Sequence, residues 1–478
     1  MEYTNHIIAP STGWIILAIL SVLWVSLGIY WGRKAKNLEG HMLAGRNVGL
    51  ALGMATVMAT WVTSNTTMLA PQFVLEMGVW GMLAYSTAAI GLLLFAPLAK
   101  RIRTLMPKGF TSGDFIRLRY GKGAWYVFLL ISIFYSLIWL ISMGMAGGIL
   151  MNSIAGIPYF WGTTIILAVC VAYTLFGGLY AVIGTDFIQS LLIMIGIVVV
   201  GFAVYQILDF NEIYMDVEKH KPMLLNFLFP AALMSIFNNL LFSVGEVFHS
   251  NVWWSRTFAL RGSVNKKAYI MAGIAWLPIP IAAGFIALSS SSLGINIIRP
   301  DMVGAVVSST LLGPVGAIIV FIILFSSLAS SIDAVLAAIS DLITQDIYKK
   351  MIRPKATEME LKRFATIIIV VVGFVAWMAC IPQIGTLASI LFFAGPMVGS
   401  TIWPILTGLF WKNASRKGAF WGMLLGSTFG LISYFSLGWY TSSLVGAAVS
   451  MIVVLACRKW FPDDDFNWKI LNEAKTKQ

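Results

Sequence analysis

Residues 13–31, GWIILAILSVLWVSLGIYW, contain no charged residue and are long enough to cross a bilayer as one helix. Lipid offers no hydrogen bonds, so such a run is stable there only when each peptide group bonds within its own helix. The residues before it hold Glu2 and His6 and lack the basic start of a cleaved signal, which predicts a retained first span. Similar runs recur along the chain. About 13 spans are predicted, near 13–31, 49–73, 79–99, 124–152, 158–177, 179–208, 224–247, 267–289, 303–345, 362–381, 384–411, 417–437 and 440–457. The run 303–345 exceeds one crossing and predicts an interruption near Leu312–Pro314. Only 11% of the 478 residues are charged and 59% are hydrophobic. A water-facing domain carries about 25% charged residues, so the expected fold class is an all-α membrane protein forming one domain over 1–478.

The basic residues sort by side. Alternate connections and the C-terminal tail carry 29 of the 32 Lys and Arg residues; the other side carries Lys219, Lys221 and Arg299. The positive-inside rule then puts the N-terminus outside and the C-terminus in the cytoplasm, in the plasma membrane. The net charge of +12 belongs to the cytoplasmic face and not to a nucleic-acid partner. Cys170, Cys380 and Cys457 lie in or beside apolar runs and read as packing residues. The four histidines have no metal-ligand spacing, and no phosphate loop or nucleophile–base pair is present, so no enzyme is expected.

Polar residues inside apolar spans carry the functional signal. Span two, NVGLALGMATVMATWVTSNTTMLAP (47–71), is polar and partly β-branched from Thr60 to Thr67, which predicts an interrupted helix with freed carbonyls. Span nine, FIILFSSLASSIDAVLAAISDLITQDIYKK (321–350), places Ser326, Ser330 and Asp333 on one face. Hydroxyls and carbonyls together make a neutral oxygen cage suited to a hard monovalent cation. The competing reading is small residues for close helix packing. Asp186 reads either as a functional carboxylate or as a structural ion pair. Glu246 reads as a solute contact, or as a structural partner of Arg256.

With these segments in view, the chain resembles the sodium:solute symporter family. The resemblance rests on AGRNVG (44–49), TSGDFIRLRYG (111–121), YTLFGGLYAVIGTDFIQ (173–189), SSLASSID (326–333) with DIY (346–348), and WPILTGLFWKNASRKGAFWG (403–422). It implies a LeuT-type core of two inverted five-helix repeats, 49–208 and 224–411, flanked by 13–31 and 417–457. It further implies a sodium site of the carbonyls of Ala59, Val62 and Ile323 with the hydroxyls of Ser326 and Ser327. In some members a second sodium lies near the span-six aspartate; Asp186 and Ser330 match it, while Ala329 stands where a serine is expected.

The resemblance places the solute beside the breaks in spans two and seven, with Trp61, Thr63, Asn65 and Thr66 on one side and Ser243, Glu246 and Val247 on the other. Phe392 and Phe393 are expected to close the pocket. The segment GEVFHSNVWWSRTFAL (245–260) is similar to the urea and polyamine branch, and Glu246 suits a solute that donates hydrogen bonds. The expected function is sodium-coupled symport of a small polar solute, such as urea, an amine or a small amide, by alternating access. Proton coupling in the same fold and a passive channel are the alternatives.

Overall fold

The computed structural model describes residues 7–63, 65–226, 228–295, 297 and 299–472, with the side chains of Asn65 and Ser291 outside the description. Among these residues the chain is helical throughout, and the single β-bridge joins Val48 to Leu260. Among the described residues, eleven helical stretches are long and apolar enough to cross a membrane. The elements that build the interior are α1 (Pro10–Gly32), α2 (Leu50–Trp61), α3 (Ala70–Met77), α4 (Ser112–Tyr120), α5 (Lys122–Ala155), α6 (Tyr159–Ile207), α7 (Pro230–His249), α8 (Asn251–Ala259), α9 (Asn265–Trp276), α10 (Val303–Leu342) and α11 (Leu387–Phe393).

Two features separate these eleven stretches from the expected thirteen. The predicted span 49–73 is divided into α2 and α3, and neither half is long enough alone. Predicted spans 158–177 and 179–208 run together as α6, bent at Gly178. Gly178 has φ 51°, and a Cβ there would lie 2.4 Å from the His41 carbonyl oxygen, so conformation and space both require glycine. The interruption expected near Leu312–Pro314 falls at Gly313, φ 66°, followed by Pro314.

One boundary is corrected. Span seven was expected to end at Val247, with Arg256 in a basic loop. Instead α7 continues to His249, turns at Ser250 (ψ 130°), and resumes as α8, whose residues are all buried. The Ser250 hydroxyl accepts from Val252 N–H and caps the new helix.

α10 packs along α6 and α5, and α1 lies against α6 through close approach of Gly28 to Tyr173. On the basic face, a buried ionic cluster ties α4 to the end of α10, which continues as a π-helical stretch, Ile343–Ile352. Lys350 pairs with Asp114 and, at 2.6 Å, with Asp346. Thr111 Oγ1 and Trp125 Nε1 donate to Asp346 at 2.6 and 3.1 Å. Asn251 extends the cluster to α8, accepting from Ser112 N–H at 3.0 Å and donating to the Ala338 carbonyl at 3.0 Å. Burial pushes the Asp114 carboxyl up, but Lys350 and the N–H groups of Phe110 and Thr111 outweigh it and hold it below the usual carboxylate range.

Because its folded pKa is depressed, Asp114 contributes stability above its unfolded value of about 3.9, and that contribution is lost as pH falls through the folded value. Lys350→Met leaves two buried carboxylates facing each other and is expected to cost about 3–5 kcal/mol near neutral pH. Thermal unfolding in detergent at pH 7 checks this; an unchanged midpoint would remove the cluster as a structural tie.

Candidate functional site

The chain is interrupted in mid-interior at Val62, whose ψ of 81° ends α2. The freed backbone groups find specific partners. The Trp61 carbonyl accepts from Thr66 Oγ1 at 3.0 Å and from Trp276 Nε1, on α9, at 2.8 Å. Thr63 and Thr66 exchange bonds, each N–H donating to the other's hydroxyl at 3.2 Å. The Thr60 carbonyl accepts from Ser331 Oγ at 3.2 Å, a contact between the interrupted helix and the serine face of α10.

Ser326, Ser327, Ser330 and Ser331, the serine cluster of α10, are all buried. Ser327 and Ser331 lie one turn apart on one face, as do Ser326 and Ser330. Ser327 Oγ donates back to the Leu324 carbonyl at 3.0 Å. Ser326 Oγ has no hydrogen-bond partner among the described residues. Ser330 Oγ donates to Asp186 Oδ1 at 2.5 Å. Ala59 and Val62 are fully buried, while the Ile323 side chain lines an apolar cleft with Thr67 and Ile197. Thus Ser330 and Ser331 make the hydrogen bonds to Asp186 and to the α2 break, one turn beyond the expected pair Ser326 and Ser327.

Beside this face lies a fully buried ion pair. Arg256 Nη2 stands 3.3 Å from Asp186 Oδ2. Thr56 Oγ1 donates to the same oxygen at 2.5 Å and accepts from Arg256 Nε at 3.1 Å. Arg256 Nη2 also reaches Thr60 Oγ1 at 2.6 Å, and Nη1 reaches the Val252 carbonyl at 3.1 Å. The partner of Arg256 is therefore Asp186 and not Glu246. Sequence reasoning placed Arg256 in a loop; its position six residues after Ser250, amid Trp253, Trp254 and Phe258, was the available signal of a buried segment.

On the other side of the break is a cavity of about 20 Å³, room for about one water. Its walls include Trp61, Thr63, Ser243 and Glu246, four of the nine expected solute contacts. The others sit elsewhere. Thr66 is spent on the backbone of the break, Val247 packs against Gly91, and the Asn65 side chain is outside the described residues. Phe392 stacks with Phe73, Phe242 and Trp439, and Phe393 faces Phe134, Tyr434 and Phe435; Leu391 is the α11 residue that lines the cavity. Tyr85, Ala88, Trp139, Asn239, Phe242 and Trp276, none of them among the expected solute contacts, complete the wall. Trp61 stacks edge-on against Trp253 at 5.0 Å and lies 6.1 Å from Trp276, so the Glu246 carboxyl sits in an aromatic enclosure, with Tyr135 beside it.

The description of the sodium:solute symporter family matches residues 41–426. The urea-proton symporter DUR3 of Oryza sativa subsp. japonica is 26% identical over 82% of this chain, which spans 60% of that relative's length. The osmoregulated proline transporter OpuE of Bacillus subtilis (strain 168) is 25% identical over 90% of this chain and 89% of its own. The structure of a Na+-coupled sialic acid symporter in a substrate-bound outward-open state superposes with a TM-score of 0.78, covering 94% of this chain and 98% of that one at 16% identity. A nucleobase-cation-symport-1 family transporter, Mhp1, superposes with a TM-score of 0.57 over 88% of this chain. The fold is shared with both, and the relatives are transporters, not enzymes.

Trp276→Phe keeps an aromatic ring but trims the indole and removes the N–H donated to the Trp61 carbonyl. The expected cost is about 1–3 kcal/mol, for a buried acceptor left with one partner. Thermal unfolding in detergent measures it, and a shift no larger than that of a surface substitution would show that Thr66 alone secures the break.

Proposed function

Because the chain belongs to the sodium:solute symporter family, we propose that it is a secondary active transporter carrying a small polar organic solute into the cytoplasm together with sodium. One observation supports this above the others: the interruption after α2 serves two sites at once. The Thr60 carbonyl faces the serines of α10, while Trp61 and Thr63, next in the chain, wall the cavity that holds Glu246. An ion bound at the break orders a wall of the solute pocket, so each ligand strengthens binding of the other.

The ion's cage in this reading draws on the carbonyls of Ala59, Val62 and Ile323 and on the serine face of α10. Ser326 and Ser327 form its upper turn. The contact of Ser331 with the Thr60 carbonyl favours the lower turn as the main hydroxyl source. Thirteen crossings follow if α2 and α3 count as one span and α6 as two; these then form the inverted repeats 49–208 and 224–411. The basic face lies in the cytoplasm, with the N-terminus outside. A membrane potential negative inside draws the cation inward by about 2.3 kcal/mol per charge at 100 mV.

The solute of this reading carries N–H donors or a positive charge. Glu246 accepts hydrogen bonds, and the faces of Trp61, Trp276 and Tyr85 favour a flat amide-like group or a small cation. Urea, an amine or a small amide fits both. Proton coupling is the second reading. It is favoured by Glu246, a buried carboxylate inside the solute cavity, and it is the coupling named for the rice relative.

Thermal unfolding of the purified protein in sodium against potassium chloride, at constant ionic strength, is the first test. A site one-hundredfold saturated stabilises by about 2.7 kcal/mol. The expected result is a sodium-specific rise that Ser331→Ala abolishes and Ser326→Ala reduces less. Lack of any sodium-specific rise turns the assignment to protons. Glu246→Gln is expected to lower uptake of labelled urea or methylammonium into liposomes about tenfold, equivalent to about 1.4 kcal/mol. Wild-type uptake of both solutes by this variant would assign Glu246 to structure.

A further inference from the structure

We infer that the apolar cleft between α6 and the helix Pro278–Ser292 is a binding site for one acyl chain of a bilayer lipid, and that a chain seated there bears on the flanks of the break after α2. The site stands apart from the ion and solute groups and needs only that both helices cross the bilayer. The cleft exists because α6 and Pro278–Ser292 both pack on α10 but scarcely on each other. At Gly196, α6 presses on α10, where a Cβ would lie 2.2 Å from Ile323 Cδ1. At Gly201, the next glycine of α6, a Cβ would meet nothing within 4 Å. Ala282 and Ala283 line the gap from the other wall. The cavity so formed measures about 70 Å³, against about 20 Å³ beside Glu246. Its floor, at Val320, Ile323 and Leu324, is buried. Its rim is half-buried, and beside the rim Val198 and Phe202 are 70% and 66% exposed. Neither Pro278–Ser292 nor α6 beyond Asp186 holds a charged residue, and both belong to stretches long and apolar enough to cross. The mouth therefore opens on hydrocarbon.

The interior chooses the occupant. No charged side chain lines it. Its two hydroxyls turn to their own backbones: Ser308 Oγ donates to the Gly304 carbonyl at 2.6 Å, and Thr67 Oγ1 to the Thr63 carbonyl at 3.5 Å. An apolar cavity of this kind stays dry and takes apolar guests; one of about 150 Å³ takes benzene, so this smaller one suits a chain better than a ring system. A packed helix would need about 8–10 Å between axes, far more than the cleft gives. Gly201 lies about 9 Å from the end of α6 at 1.5 Å per residue, which assigns the chain to the leaflet opposite the basic face. Thr67 and Ile323 give the site its consequence. Thr67 belongs to the π-helical segment Asn65–Leu69 that follows the break, and Ile323 lies one turn before Ser326 and Ser327. Gly304 closes the floor against the Thr67 carbonyl, 2.4 Å from a Cβ placed there. A seated chain fills the space into which the Thr67 and Ile323 side chains would otherwise shift. It thereby favours the arrangement in which the break and α10 stay together.

The test uses the full-length protein in phosphatidylcholine vesicles that carry a phosphatidylcholine with a photoreactive diazirine in the middle of one acyl chain. After illumination, mass spectrometry locates the labelled residues. Label is expected on the buried floor, at Val320 and Ile323, at least equal to that on Val375, which is 42% exposed on the helix Glu358–Cys380. Gly201→Leu sends a side chain into the open space and is expected to cut the floor label about fivefold while leaving Val375 unchanged. Ala283→Leu does the same from the opposite wall and decides the matter if Gly201→Leu does not fold. A second readout tests the bearing on the break. Phosphatidylcholine added back to delipidated protein in detergent is expected to raise the thermal midpoint of wild type, and by half as much or less in the filled variant, which carries its own occupant. An unlabelled floor beside a labelled Val375, floor label undiminished in both variants, or an equal lipid-induced rise in wild type and variant would each overturn the inference. So would preferential floor label from a photoreactive sterol, or cross-links joining two copies at Val198, which would give the cleft to a ring system or to a second chain. None of these readouts depends on sodium or on a solute, so their failure is distinct from failure of the symport reading.

Discussion

An interrupted helix in a bilayer exposes peptide groups that neither lipid nor the helix itself can satisfy, and the partners found for them here fix the positions of the surrounding elements. The Trp61 carbonyl needs the indole of Trp276, which pins α9 against the break. The Thr60 carbonyl needs Ser331, which pins α10. The exchange between Thr63 and Thr66 closes the remaining gap within the segment. An unsatisfied buried carbonyl costs about 1–3 kcal/mol, so moving either helix away exposes the chain to a penalty unless a ligand replaces the lost partner. On the proposed sodium reading, that dependence links backbone geometry to ion binding, since a cation is a partner that a carbonyl accepts in place of a hydroxyl.

The closed cavity follows from ties at both ends of the bundle. On the basic face, Lys350 with its two carboxylates and Asn251 join α4, α8 and the end of α10. On the opposite face, Asp301 accepts from the Leu387 N–H at 3.3 Å, and Gln72 on α3 donates to Thr386 Oγ1 at 3.3 Å, so the start of α10 and the outer half of the broken span both meet the entry to α11. Between these ties the cavity has room for about one water, and Trp61, Trp276 and Glu246 are all buried. If the cavity is the solute site, as proposed, entry of a solute requires one set of ties to open while the other holds, which is the structural requirement of alternating access.

The membrane class, the broken second span and the interruption at Gly313 were legible in the sequence, because long apolar runs and misplaced polar or glycine residues act locally. The cavity wall was legible where a polar residue stands out against an apolar span, as at Thr63, Ser243 and Glu246. It was not legible at Trp139, Trp276 and Tyr85, since an aromatic residue in a membrane helix looks the same whether it faces a cavity, another helix or lipid. The serine face was recognised, but the turn of α10 that meets the break was not, because Ser326/Ser327 and Ser330/Ser331 are equivalent by periodicity and only the depth of α2 against α10 separates them. The short helix Leu387–Phe393 puts Phe392 and Phe393 into aromatic stacks, Phe392 against Phe242 of the cavity wall, and leaves Leu391 at the cavity itself.

Arg256 was hidden because charge counting treats any arginine near a span end as belonging to the aqueous face. Its burial changes the meaning of the whole layer. A buried ion pair is a poor source of stability, as apolar residues of the same volume commonly do as well or better. What the pair supplies here is connection. Through Thr56 and Thr60 the guanidinium grips the two turns of α2 that precede the break, through Val252 it is fixed to its own helix, and through Asp186 and Ser330 it reaches α6 and α10. Four elements that apolar packing alone would let slide are held in one register. The Thr60 carbonyl is thereby held at the serine face; on the proposed sodium reading, an oxygen cage assembled in advance in this way binds its cation without first ordering the helices that form it.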